Sequence, residues 1–226
     1  DAFVNLGKWE ENPKGFTWGV PSSGTAKVLG SEIPDGTAFL TLYYNIPDED
    51  TVKSIAEANG LELKHNDEYG AYYEFPLVFE REKLNNKKGK LLEWGGLNNS
   101  KIKATYVDSS ICIPVTGVEP TTTTATTTTD QTTTTTTNQA IDGPAMKIND
   151  GNDIVVTPEQ EYAEIPLNLY NVPDTEGITV AFKTDNEGAA TLALLNANSD
   201  TYQSYDAVDA FVNLGKWEEN PKGFTW

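Results

Sequence analysis

The chain has 226 residues, of which 34 are acidic and 16 are basic, giving a net charge of −18. Such a polyanion repels nucleic acid and anionic membrane, which excludes phosphate-backbone binding and membrane contact as leading functions. A single cysteine allows no internal disulfide, and a single histidine argues against a multi-histidine metal site or a Ser-His-Asp triad.

The first 18 residues, 1–18, recur without change at 209–226. An identity of this length does not arise by chance and marks a repeat. If the two ends belong to one folded module, the two copies compete for one position. We predict that 15–20 and 209–214 are the structured copies, with 1–8 or 219–226 loosely held. Only the first copy is followed by Gly19, so only its end can continue into the next part of the module. Only the second copy is preceded by Val208, so only its start can continue from the preceding part.

Before residue 119 the chain alternates apolar and polar residues between turn residues, a pattern that predicts short antiparallel strands. These strands are 15–21, 25–30, 37–46, 71–80 and 102–115. Within 37–46, the alternation predicts Leu40 and Leu42 on the core face of a sheet and Phe39, Thr41 and Tyr43 on the opposite face.

One segment in this half departs from the strand pattern. Asp48 begins an acidic run that suits the positive start of a helix dipole. Val52 and Ala56 then recur at helical spacing, and Gly60 can end the helix. The sequence therefore predicts one short helix over 48–59.

A threonine-rich tract follows at 119–141, with fourteen threonines among residues 121–137. Such a tract has nothing to bury and cannot offset the entropy of ordering, so it is predicted to be an extended linker. Threonine-rich linkers of this kind join modules in secreted proteins. We therefore predict a secreted or cell-surface location and three parts: 1–118, the linker 119–141, and 142–226.

After the tract the alternating pattern returns. It predicts strands at 145–149, 153–158, 161–172, 177–185 and 191–197. Nine or ten short strands with one inserted helix predict an all-β sandwich, most simply a jelly roll.

Four features that resemble metal or catalytic sites are interpreted as structural. Segments 149–153 and 185–188 are acidic and glycine-containing but lack the spacing of an EF-hand, so turns are predicted. Cys112 lies between two isoleucines and is predicted to be a small buried side chain. His65 is predicted to be a solvated loop residue.

Reading 142–226 first and then 19–118 gives one continuous module that resembles a cohesin. The resemblance is carried by four segments, which are 153–185 (DIVVTPEQEYAEIPLNLYNVPDTEGITVAFKTD), 15–31 (GFTWGVPSSGTAKVLGS), 35–47 (DGTAFLTLYYNIP) and 104–115 (ATYVDSSICIPV). The threonine-rich tract is also similar to the linkers that separate cohesins in a scaffoldin. The predicted helix and the lysine-rich stretch 81–94 depart from the family pattern as insertions.

The resemblance implies a fold and a function. Cohesins are non-catalytic, nine-stranded jelly rolls that bind dockerin modules of polysaccharide-degrading enzymes or of other scaffoldins, in cellulosomes. They bind through one flat sheet made of the third, fifth, sixth and eighth strands. Calcium is held by the dockerin, so the resemblance implies no metal site or other cofactor in this chain.

Carried over strand by strand, the resemblance implies a set of outward-facing contact residues. They are Thr179, Ala181, Lys183, Lys27, Leu29, Phe39, Thr41, Tyr43, Tyr72 and Glu74. Of these, Phe39 and Tyr43 are predicted to be the anchors, because exposed aromatic rings supply large contact area at low entropic cost.

Alternatives from other classes stay open. A carbohydrate-binding module is also a β-sandwich, and Trp9, Trp18, Trp94 and Tyr72 could form its sugar-stacking platform. A glycoside hydrolase would need two carboxylates about 5–9.5 Å apart across a cleft. The rotated order also leaves two arrangements: a circular permutant closed within one chain, or a domain-swapped dimer.

Overall fold

The computed structural model describes residues 3–5, 15–19, 30–81, 92–116, 142–157, 160, 162–183, 185–197 and 203–207. The threonine-rich tract, nearly all of the predicted strand 25–30 and the second copy of the repeat at 209–226 lie outside these residues.

The described residues are mostly β-structure. The strands in chain order are β1 (Phe3–Asn5), β2 (Gly15–Gly19), β3 (Thr37–Asn45), β4 (Lys64–Asn66), β5 (Gly70–Leu77), β6 (Glu93–Gly96), β7 (Ser100–Ile102), β8 (Thr105–Val107), β9 (Ser109–Pro114), β10 (Ala145–Ile148), β11 (Ile154–Val155), β12 (Tyr162–Tyr170), β13 (Thr175–Ala181) and β14 (Gln203–Ala207). Two α-helices are described, α1 (Glu49–Ala58) and α2 (Ala189–Asn196). Neither helix is long and apolar enough to cross a membrane, and the described residues contain no other candidate.

The strands form three sheets. The first sheet has the order β1-β2-β13-β6-β7, the second has β14-β3-β12-β10-β8, and the third has β11-β9-β5-β4. Every pairing is antiparallel except β10 with β8 and β11 with β9, which are parallel. Strands on the two sides of the threonine-rich tract pair with each other, most extensively β12 with β3.

The first and third sheets join into one layer. Phe79, just after β5, bridges Phe182, just after β13, and the Lys183 N–H donates to the Val78 carbonyl at 2.8 Å. At the far side of this layer, β9 follows β8 of the second sheet after the single residue Asp108. The result is a sandwich-like arrangement whose two layers are connected along the side that holds β8 and β9.

One hydrophobic core lies between the layers. Buried side chains reach it from each sheet, such as Ile178 from β13, Leu167 from β12 and Phe75 from β5. Both helices cover it with buried residues, Val52 from α1 and Leu194 from α2. Because all of these residues belong to one cluster, the two parts of the chain on either side of the tract share a single core.

The helix predicted at 48–59 is confirmed as α1. A carboxylate oxygen of Asp48 accepts a hydrogen bond from the Thr51 N–H at 2.8 Å, which satisfies one of the free donors at the helix start. Val52 and Ala56 face the core, and Asn59 ends the helix before Gly60, whose φ of 69° is left-handed.

The strand predicted at 191–197 is wrong, because this segment forms α2. Its buried apolar residues recur at helical spacing, with Ala190 and Leu194 in the core. Alanine and leucine are strong helix formers, and a short apolar run does not distinguish a strand from a buried helix. The residue just before α2 is Gly188. Only glycine fits there, because a Cβ would lie 1.9 Å from the Lys183 carbonyl oxygen.

The outward orientation predicted for Phe39 is also wrong. In the pairing of β3 with β12, Leu40 lies opposite Leu167 and Ala38 lies opposite Asn168, so Phe39 is the extra residue of a β-bulge. A bulge interrupts strand alternation, and both Phe39 and Leu40 are buried at 3% exposure. Phe39 is therefore a core residue.

Candidate partner-binding surface

The ten predicted contact residues do not form one surface. Thr41 and Tyr43 lie in β3 of the second sheet, whereas Tyr72 and Glu74 lie in β5 of the opposite layer. Lys27 and Leu29 lie outside the described residues. Alternation within a strand shows which residues share a side, but it does not show which layer the strand joins.

Tyr43 lies half-buried on the second sheet. Its ring packs edge to face against Tyr162 of β12, with centroids 5.5 Å apart and planes inclined by 75°. Tyr43, one of the two predicted anchors, therefore packs within the second sheet, in the layer opposite the strand that carries Tyr72.

The three positions predicted in and after β13 belong to the first sheet. Ile178 and Val180 are buried, and Thr179 and Ala181 alternate with them along the strand. Lys183 is half-buried. Its Nζ forms an ion pair with Glu187 Oε2 at 2.9 Å, in the turn before α2.

Tyr72 and Glu74 share one side of β5. Ala71, Tyr73, Phe75 and Leu77 are buried in the core, and the alternating residues between them are half-buried on the other side. The neighbouring strands add residues at matching register, with Lys64 opposite Tyr72 and Cys112 opposite Glu74. We call this side the β5 face, and it consists of Lys64, Tyr69, Tyr72, Glu74 and Ser110.

The turn between β4 and β5 positions Tyr69. The Asn66 side-chain oxygen accepts hydrogen bonds from the N–H groups of Glu68 and Tyr69, at 3.1 and 2.9 Å. Gly70 follows with a φ of 74°, which glycine adopts without strain. The Tyr69 ring then packs on Tyr72, with centroids 4.9 Å apart and planes inclined by 70°.

Polar contacts fix the Glu74 carboxylate. One oxygen forms an ion pair with Lys64 Nζ, and the other accepts a hydrogen bond from the Ser110 hydroxyl at 3.2 Å. The hydrogen bond to Glu74 raises the pKa of Lys64. Burial, followed by the nearby charge of Glu74, raises the pKa of the Asp153 carboxyl. The β5 face is thus an aromatic pair beside a fixed ion pair.

Cys112 lies beneath this face and is buried, as predicted. Burial, followed by the negative charges of Asp153 and Glu74, raises the pKa of its thiol to about 12. A thiol with this pKa is protonated at neutral pH, so Cys112 is not suited to act as a nucleophile.

We expect the folded protein to protect Cys112 from Ellman's reagent at pH 8. Three pKa units correspond to about 1,000-fold less thiolate than for an ordinary thiol, and the reaction should slow by at least this factor. The measurement compares the labelling rate in buffer with the rate in guanidinium chloride, where the unfolded chain is the control. Equal rates in the two solutions would contradict the assignment.

One of the four rings considered for the sugar-stacking platform of a carbohydrate-binding module is buried inside the fold. Trp94 is 1% exposed, and its indole N–H donates to the Thr175 hydroxyl at 3.1 Å inside the fold. Tyr72 packs edge to face on Tyr69. Trp9 and the side chain of Trp18 lie outside the described residues.

The segments 149–153 and 185–188 form turns, as predicted. Asn149–Gly151 and Asn186–Gly188 are short 3-10 turns, and the Asn149 amide donates to the carbonyls of Asn152 and Asp153. Within the described ranges, no group of three or more His, Cys, Asp or Glu side chains is arranged to hold a metal ion.

Sequence reasoning missed four residues of this region: Lys64, Tyr69, Ser110 and Asp153. A signal was present for Tyr69, because Asn-Asp-Glu-Tyr-Gly at 66–70 has the composition of a tight turn between strands. Recognising that turn would have paired 64–66 with 70–72 and brought Lys64 opposite Tyr72.

No family model, no curated protein and no solved structure matches the chain. The strand arrangement and the β5 face are therefore the observations from which a function is argued.

Proposed function

We propose that the chain is a cohesin-like, non-catalytic jelly-roll module that binds a dockerin. The observation that carries the proposal is the order of the strands. We count from β10, treat β10 with β11, β5 with β6, and β8 with β9 as one strand each, and leave β4 and β7 out of the count. The described strands then number nine.

In that count the third, fifth, sixth and eighth strands are β13, β1, β2 and the β5–β6 strand. These four are neighbours, because β1, β2, β13 and β6 follow one another in the first sheet and β5 joins the end of β13 at Phe79 and Phe182. They are the strands that the cohesin resemblance assigns to the dockerin-binding sheet. β3 is the seventh strand in the same count, so Thr41 and Tyr43 are left out of the proposed surface.

The rotated order also brings the first and last strands together. β10 with β11 and β8 with β9 pair in parallel along their lengths. The segment before the threonine-rich tract thereby completes the module that the segment after it begins. We propose that the module closes as a circular permutant, and light scattering that shows a monomer would rule out the domain-swapped alternative.

The proposed docking surface consists of the β5 face and the outer side of β13. Of the predicted contact residues, it retains Lys183, Tyr72 and Glu74, and Thr179 and Ala181 stay predicted contact positions of β13. The Tyr69–Tyr72 pair supplies apolar contact area, and Lys64 and Glu74 supply hydrogen-bonding groups at its rim. A stable complex with a helical partner needs an interface on the order of 1,200–2,000 Å².

The location and the partner of the module are proposed from the threonine-rich tract and the net charge. The threonine-rich tract supports secretion and attachment within a scaffoldin, and the partner would carry an enzyme or belong to another scaffoldin. The net charge of −18 keeps such a module soluble and means that docking relies on contacts other than positive charge.

The proposal is tested by calcium-dependent pull-down with a panel of dockerins. We expect at least one dockerin to bind with calcium and to be released by a chelator, because calcium is held by the dockerin. Tyr72→Ala should weaken this binding about 10- to 30-fold, the usual cost of truncating an anchor residue.

Tyr43→Ala is the matched control, because it removes the same side chain from the opposite layer. Equal loss of binding in both variants would contradict the assignment to the layer of β5 and β13. Binding to insoluble cellulose with no response to any dockerin would instead favour a carbohydrate-binding module.

A further inference from the structure

We propose that the side chains of Lys147 and Asn168 join in an amide bond, which crosslinks β10 to β12. The two residues lie directly opposite each other in the antiparallel pairing of these strands. A lysine amine is a nucleophile that can displace ammonia from a carboxamide, so the reaction needs no oxidant or other co-reactant. The inference does not depend on dockerin binding.

Lys147 is a charged residue buried on the outer side of the second sheet. Met146 and Ile148 belong to the core, and Lys147 alternates with them along β10. Only 8% of Lys147 is exposed, and its Nζ lies 4.4 Å from the centre of the Tyr170 ring. In the part of the chain that the structure describes, no carboxylate forms an ion pair with it. A buried ammonium without an ion pair is costly, and conversion to a neutral amide removes this charge.

Asn168 is buried at 6% exposure, and hydrogen bonds hold its carboxamide in one orientation. Its side-chain oxygen accepts a hydrogen bond from the Asp150 N–H at 3.1 Å, and its side-chain nitrogen donates to the Gly36 carbonyl at 3.0 Å. An N–H group at the carboxamide oxygen stabilises the negative charge that develops there when an amine attacks the carbonyl carbon. The backbone of Asp150 therefore activates Asn168.

Asp150 also lies beside the residue that contacts the ammonium. Its carboxylate accepts a hydrogen bond from the Tyr170 hydroxyl at 2.6 Å. Burial, followed by this hydrogen bond, raises the pKa of Tyr170 to about 12, so the hydroxyl stays protonated at neutral pH. Asp150 thus contacts Asn168 through its N–H and Tyr170 through its carboxylate. A carboxylate between a nucleophile and a leaving group can transfer protons from one to the other.

The two reacting side chains are within reach of each other. Residues directly opposite in an antiparallel pair have Cβ atoms about 4.5–5.5 Å apart. Rotation within the lysine side chain can turn Nζ of Lys147 from the face of the Tyr170 ring to Cγ of Asn168. Because both groups belong to one sheet, the reaction is intramolecular, which raises its rate far above that of the free groups in solution.

The atoms and charges of the reaction balance. The Asp150 carboxylate takes a proton from the Lys147 ammonium, and the Nζ lone pair then forms a bond to Cγ of Asn168. The bond between Cγ and Nδ2 breaks as Asp150 passes its proton to Nδ2, which leaves as ammonia. A second proton leaves Nζ and joins the ammonia. One ammonium and one carboxamide are thereby converted into one amide and one ammonium ion.

Intact-mass spectrometry of the unglycosylated full chain, after denaturation, tests the crosslink. We expect a mass about 17 Da below that of the sequence, because one ammonia is lost. Trypsin does not cleave after a lysine whose amine has become an amide. The crosslinked chain should therefore give 104–183 as one tryptic fragment that carries the whole loss, in place of 104–147 and 148–183.

Two substitutions remove the reaction, and a third is the matched control. Lys147→Arg keeps the positive charge without the amine, and Asp150→Asn removes the proton acceptor. Both variants should have the full mass of their sequences. Lys53→Arg, in α1, should keep the loss of about 17 Da.

The parent chain alone can overturn the proposal. A full-mass chain, or one that trypsin cleaves after Lys147, would exclude the crosslink. A loss that maps outside 104–183, such as cyclisation of Asn59 before Gly60, would exclude it as well. A crosslink that persists in Asp150→Asn would overturn the assignment of the proton transfer to Asp150.

Discussion

Trp94→Ala is expected to lower the free energy of unfolding by about 3–5 kcal/mol, the usual cost of removing a buried tryptophan. Trp94 is 1% exposed and lies in the shared core of both layers. Its loss also leaves the buried Thr175 hydroxyl without the indole donor, although that hydroxyl still donates to the Gly95 carbonyl at 2.6 Å. Urea denaturation of the variant and the parent chain gives the difference.

Trp94→Phe separates packing from the hydrogen bond. It keeps much of the buried ring and removes only the indole donor, so a loss smaller than that of Trp94→Ala is expected. If Trp94 instead belonged to an exposed sugar platform, both substitutions would leave stability within about 0.5 kcal/mol. That result would contradict the burial of this side chain.

Phe39→Ala is also expected to lower the free energy of unfolding by about 3–5 kcal/mol. Phe39 is buried by the bulge in β3, so its removal leaves a cavity in the core. Calcium-dependent dockerin binding should persist in the fraction that remains folded, because β3 lies outside the proposed docking surface. Thermal unfolding monitored by circular dichroism, with binding measured well below the midpoint, separates the two effects.

Thr41→Ala is the matched control in the same strand. Thr41 is half-buried on the outer side, so its truncation is expected to cost about 1 kcal/mol or less. A Phe39→Ala variant as stable as Thr41→Ala, and defective in binding, would restore Phe39 as a contact residue.

Local patterns were sufficient to predict several parts of the fold. The acidic start, apolar spacing and terminal glycine predicted α1 to within one residue at each end. The isoleucines flanking Cys112 predicted its burial. The interactions that decide α1 lie within a few residues along the chain, where sequence patterns are most informative. Cys112 is also surrounded by distant residues such as Glu74 and Asp153.

Other parts depended on contacts between distant segments. The bulge that buries Phe39 arises where β3 meets β12, more than a hundred residues away. The helix at 189–196 forms where its apolar run packs against β5 and α1, an arrangement that a seven-residue pattern does not contain. Tertiary packing decided these cases, and no local rule could have replaced it.

The candidate site was predictable to a similar extent. Alternation correctly grouped Tyr72 with Glu74 on one side of a strand. It could not assign β3 and β5 to different layers, because alternation carries no information about which strands become neighbours. The ion pair of Lys64 with Glu74 followed only from the pairing of β4 with β5.

The two parallel pairings have a mechanical consequence. Residue 116 leaves the fold after β9, and residue 142 enters it before β10, so the tract is attached to opposite ends of strands that run side by side. A pull that draws these two attachment points apart along the strands loads the evenly spaced hydrogen bonds of both pairs in shear, all at once. Unzipping would break the same bonds one after another. Residues 116 and 142 are thereby held by hydrogen bonds that resist a force along the strands in shear.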